Sequence, residues 1–92
     1  MNYYISATLN AKDIDSRDIL TNYIECSLNT TEFACCRTTI DFECEFNDYV
    51  FFNIVLSIIL PHIESGNIKV DTESDSFELV TIDNKWEYNQ IA

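Results

Sequence analysis

The sequence predicts an α+β fold: a mostly antiparallel sheet with two helices packed on one face. Three observations carry that prediction. Ile40, Phe42, Cys44 and Phe46 alternate strictly with Asp41, Glu43 and Glu45, the period-two pattern of a half-buried strand. Two segments, at 19–28 and 49–60, place apolar side chains on one helical face or nearly all round. The element order reads β-α-β-α-β-β with one further edge strand, and two helices on one face of a sheet is the natural layered solution for it.

Residues 2–9 are rich in aromatic and β-branched types and form a first strand. Residues 10–15 are polar and turn-like. Asp15 or Ser16 then starts a helix whose Ile19, Leu20, Tyr23, Ile24 and Leu28 share a face, with Arg17, Asp18, Asn22 and Glu25 on the other. Residues 29–31 end it, and residues 32–46 make the longest strand. Asn47 or Asp48 caps a second helix over 49–60. That helix is apolar nearly all round, so it is expected at the centre of the core, with Val50, Ile54, Leu56 and Ile58 mostly buried. Pro61 stops it. Residues 65–67 make a turn. A hairpin of 68–72 and 77–82 follows around a turn at 73–76, and residues 85–91 add an edge strand.

Ninety-two residues make one domain, here 1–92, and an apolar content of 47% supplies a core. Sixteen Asp and Glu face five Lys and Arg, a formal net charge of −11. That exceeds the magnitude of roughly 2–8 that solubility asks of a small domain. Such a chain repels nucleic acid and anionic membranes and attracts basic proteins. The bases at positions 12, 17, 37, 69 and 85 form no patch, so direct nucleic-acid binding is disfavoured. The first residues lack a basic, apolar leader, and the longest apolar stretch, 49–60, falls short of the about 20 residues a bilayer needs. A cytoplasmic protein with reduced thiols is the expectation.

Chemistry is sparse. The single histidine, His62, sits at the end of the apolar helix, where the dipole favours a cation. There is no GxSxG, P-loop or GxGxxG, and one glycine cannot build a phosphate-cradling loop. Cys26, Cys35, Cys36 and Cys44 have no CxxC spacing, and neighbours on a strand point to opposite faces, so core packing is expected for the thiols rather than a metal. The run 71–75 alternates acids as an EF-hand loop begins, but lacks the central glycine and closing glutamate. No catalytic residue, metal or cofactor is expected, and the chain is expected not to be an enzyme.

The acids recur at regular steps. Asp41, Glu43 and Glu45 share one strand face with Asp48 just beyond, and Asp71, Glu73, Asp75 and Glu78 surround the hairpin. Same-face residues on a strand lie about 6.6–6.8 Å apart. Two phosphate steps along one DNA strand rise about 6.8 Å. These eight carboxylates could therefore stand where a duplex presents phosphates. On its length, its −11 balance, its Gly- and Pro-poor composition and its lack of a catalytic signature, the chain resembles the small acidic DNA-mimic anti-restriction proteins of bacteriophages. Among these it is most similar to the anti-restriction nuclease proteins of T-even phages. The resemblance implies a homodimer whose joint surface imitates duplex DNA. It also implies inhibition of an Mcr-type, modification-dependent restriction endonuclease in the host bacterial cytoplasm, with nucleoid proteins as further partners. Trp86 and Tyr88 are candidate interface aromatics. The rival reading is an acidic immunity-type or anti-CRISPR inhibitor that plugs one basic site without duplex mimicry.

Overall fold

Parallel strands need a crossover, and this chain makes two of them. The computed structural model describes residues 2–91. Its strands are β1 (Tyr3–Ala11), β2 (Thr30–Cys36), β3 (Thr39–Phe46), β4 (Ile63–Asp71), β5 (Ser76–Ile82) and β6 (Lys85–Gln90), and its helices are α1 (Ile14–Ser27) and α2 (Tyr49–Ile59). The sheet runs β2-β3-β1-β4-β5-β6 with every neighbour antiparallel. β1 and β2 flank β3 and are parallel to each other, so α1 must cross over between them. β3 and β4 flank β1, and α2 crosses between them. The fold is thus α+β, an antiparallel sheet with two helices.

Period-two alternation then sorts the side chains. Ile5, Ala7, Leu9 and Ala11 of β1, Ile40, Phe42, Cys44 and Phe46 of β3, Ile68 and Val70 of β4, and Phe77 and Leu79 of β5 are all buried. They meet Leu20 and Ile24 of α1 and Phe52, Val55, Leu56 and Ile59 of α2 in one hydrophobic cluster. No helix among the described residues is long and apolar enough to cross a membrane.

Several expectations need correction. Residues 32–46 are two strands, not one, joined by a tight turn in which Arg37 holds φ 55°. Arg17 Nη1 donates to the Arg37 carbonyl at 2.9 Å and steadies that turn. No Gly, Pro, Asn or Asp marks it, so the sequence is silent there. Residues 65–67 are not a turn but lie within β4, and the glycine serves close packing instead. A Cβ on Gly66 would stand 3.1 Å from Leu9 Cδ2 and 3.3 Å from the Trp86 ring. Trp86 itself packs against the core and donates its indole N–H to the Leu56 carbonyl at 3.0 Å, so it is spent inside the monomer.

The remaining corrections concern burial. α2 is capped by Asp48 as expected, yet of Val50, Ile54, Leu56 and Ile58 only Leu56 is buried. One sheet and one helix layer leave nothing to cover the far side of the helix. α1 begins at Ile14 behind an Asp13 cap, and its Ile19 faces solvent for the same reason. Of the cysteines only Cys44 is in the core, while Cys26, Cys35 and Cys36 are exposed free thiols. Burial pushes the Cys44 thiol up to about 12. Alkylation of the native protein near pH 8 should therefore modify three thiols quickly and the fourth only after denaturation. Mass spectrometry showing Cys44 labelled at the rate of Cys26 would contradict this packing.

Candidate functional site

With both helices on one side, the other side of the sheet lies open, and register decides what it presents. One row across the strands is Glu32, Glu43, Ser6, Lys69, Glu78 and Asn89. A second is Ala34, Asp41, Thr8, Asn67, Val80 and Glu87. A third is Glu45, Tyr4, Asp71 and Ser76. Rows of this kind step about 4.8 Å from strand to strand and about 6.7 Å along each strand. The face thus gathers the carboxylates of Glu32, Asp41, Glu43, Glu45, Asp71, Glu78 and Glu87 against the two ammonium groups of Lys69 and Lys85.

Hydroxyls orient some of these carboxylates. Thr8 Oγ1 donates to Asp41 Oδ1 at 2.7 Å, and Ser76 Oγ donates to Asp71 Oδ1 at 2.6 Å. Among the described residues the one ion pair is Arg17–Asp18, on α1 and away from this face. Asp41 and Asp71 are consequently held in place, and among the described residues no sheet carboxylate is in an ion pair. Asp48 is engaged otherwise, because its Oδ1 accepts from the backbone N–H groups of Val50 and Phe51 at the start of α2. Glu73 and Asp75 are exposed in the turn between β4 and β5, at the rim of the face. Of the eight acids singled out from sequence, the fold brings Asp41, Glu43, Glu45, Asp71 and Glu78 onto one surface, leaves Glu73 and Asp75 at its edge, and assigns Asp48 to a helix cap.

Glu32 was not among those eight. Its place opposite Glu43 depends on the unmarked turn after Cys36, and once that two-residue turn is known the pairing follows directly. Glu87 follows in the same way from the turn at Asp83 and Asn84, whose positive φ values of 52° and 62° suit an Asp-Asn pair. Glu32 and Glu43 are hydrogen-bonded to each other, and that bond, with their mutual repulsion, holds the Glu43 carboxyl above the usual range. The folded chain keeps this proton more tightly than the unfolded chain, so the pair favours folding at low pH and loses that contribution as pH rises through the folded-state pKa of Glu43. Glu32→Gln should return the Glu43 titration, followed by carboxyl carbon NMR, toward the ordinary glutamate range. An unchanged midpoint would mean that the pair does not interact.

β2, β3 and β1 together form a shallow concavity of about 430 Å³ lined by Ser6, Thr8, Glu32, Asp41 and Glu43 among others. Its polar rim suits a guanidinium or ammonium group. No group of three or more His, Cys, Asp or Glu among the described residues is arranged to hold a metal ion. Compared with known proteins, the chain matches no family model, no curated protein and no solved structure.

Proposed function

We propose that this protein is a DNA decoy. It inhibits a host restriction endonuclease of the modification-dependent, Mcr type by occupying the enzyme's basic DNA groove with the carboxylates of its open sheet face, and it binds basic nucleoid proteins in the same way. It needs no cofactor and catalyses no reaction. The observation that supports this reading is the segregation of charge: seven carboxylates, none of them in an ion pair among the described residues, share the open sheet face with two lysines. Attraction of this sort is the long-range, salt-screened kind that a duplex itself exerts. The concavity around Glu32, Asp41 and Glu43 favours the second reading, an inhibitor that inserts one basic side chain of one partner without imitating a duplex.

A cleavage assay with graded amounts of competing duplex tests the proposal. A decoy raises the apparent KM for DNA, is displaced by excess duplex of any sequence, and is captured by several unrelated DNA-binding proteins. Inhibition that excess duplex does not relieve sinks the decoy reading. Capture of a single enzyme, lost wholly on changing Glu32, Asp41 and Glu43, supports the plug instead.

A further inference from the structure

β2 stands at one end of the strand order and has a neighbour on one side only. Register decides which of its backbone groups that leaves over. The Ala11 N–H donates to the Thr38 carbonyl at 2.8 Å, so the even-numbered residues of β3 bond toward β1. Thr39, Asp41 and Glu43 therefore bond toward β2, where they face Cys36, Ala34 and Glu32. The N–H and C=O groups of Phe33 and Cys35 point the other way, out of the sheet edge, and among the described residues no backbone group meets them. Natural edges are blunted by lysine, proline or a bulge. From Glu32 to Cys36 β2 has none of these: its register is regular, and the exposed Ala34 presents only a methyl group. Its one charge, Glu32, turns away acidic strands and admits basic ones. The opposite edge, β6, carries both Lys85 and Glu87.

We propose that β2 is a docking edge for an extended basic segment of a partner protein, which pairs with it as a seventh, antiparallel strand. Antiparallel is the pairing of every neighbour already in this sheet. Register then assigns the occupant's side chains. Residues opposite Phe33 and Cys35 fall on the helix side, where the half-buried Phe33 offers apolar surface. The residues between them fall on the open face, about 4.8 Å from β2. There they meet Glu32, with Glu43 directly behind it, and across the short Ala34 they meet Asp41, around the concavity of about 430 Å³. A lysine or arginine stem lies over the Ala34 methyl and carries its charge toward Asp41. The segment that fits thus alternates basic and apolar residues. A second copy fits badly, because two chains of net charge −11 repel each other. The identity of the partner rests on the decoy reading: DNA-binding proteins carry basic arms that stay extended until they bind. Strand addition supplies what scattered ion pairs do not, main-chain hydrogen bonds that fix the partner's register.

An end-blocked heptapeptide alternating valine with arginine is the probe, added to the full chain and followed by NMR. At saturation it should slow hydrogen exchange at the Phe33 and Cys35 amides at least about tenfold and leave the β6 amides unchanged. N-methylation of the valines removes the N–H groups that face β2 and should weaken binding on the order of tenfold or more. N-methylation of the arginines alters N–H groups that face solvent, at equal charge, and should change binding little. A peptide with glutamate in place of arginine should not bind. Cys35→Pro removes one outward donor and spares the bonds to β3, so it should weaken the parent peptide in the same direction as valine methylation. Circular dichroism checks that this variant folds, and the two methylated peptides decide the matter on the unaltered chain in either case. Equal binding of the two methylated peptides, or amides of Phe33 and Cys35 left unprotected, would overturn the proposal. So would protection that grows in the chain alone as its concentration rises, since that gives the edge to a second copy. Failure here leaves the open-face carboxylates free to compete with DNA, and failure of the cleavage assay leaves the peptide result standing.

Discussion

Converting Glu32, Asp41, Glu43 and Glu45 together to their amides should weaken binding to a restriction endonuclease on the order of a hundredfold, while each single change costs only about two- to fivefold. The gradation follows from the proposed decoy mechanism. Exposed carboxylates each contribute little, because water and salt already screen them, and affinity comes from how many phosphate positions are matched. Neutralising Asp15, Asp18 and Glu25 on α1 removes nearly as much charge from the other side of the molecule and should change binding far less. The affinity of the unaltered protein should also fall steeply from low to physiological salt. Titration calorimetry at two salt concentrations reads both effects. Equal losses from the two groups of variants, or binding that ignores salt, would make the acidic sheet an ordinary solvated face.

Phe52→Ala should cost about 3–5 kcal/mol of stability, and Val50→Ala under about 1 kcal/mol, although the two residues stand one turn-half apart on the same apolar helix. The Phe52 ring is buried and packs on Phe46 at 5.2 Å and on Tyr49 at 6.4 Å, so its removal opens a cavity against β3. Val50 is 69% exposed and has little intramolecular cover to lose. For a domain of this size the whole margin of stability is about 5–15 kcal/mol, so the first variant should melt many degrees lower and the second almost unchanged. Thermal denaturation checks the contrast. Comparable losses at the two sites would mean that α2 is rotated about its axis from the orientation described.

That helix also shows how legibility divides. Its existence, its Asp48 cap and its stop at Pro61 are local matters of propensity and capping, and they are plain from the residues. Which half of it is buried is not, because an all-apolar helix has no polar face to point outward. The same holds for the strands. β3 declares its inner and outer faces by strict alternation. β2 carries no such pattern, being an edge strand exposed along nearly its whole length, and its turn into β3 uses none of the residues that announce turns. Gly66 was legible as a glycine but not as a packing device, since the need for it comes from Leu9 and Trp86, which are distant in the chain.

By itself the sequence determined the α+β class, the strongly acidic balance, the two helices and the outward carboxylates of β3, all of which follow from residue type and short-range period. Only the tertiary structure decided which acids meet. Glu43 faces Glu32 and shares its row with Glu78 because six strands pair in the order β2-β3-β1-β4-β5-β6, and cross-strand neighbours are set by register between segments up to several dozen residues apart. It likewise decided that the most apolar segment of the chain lies half in the open, for a reason no local pattern carries: a sheet with a single layer of helices buries one side of each helix and has nothing with which to cover the other.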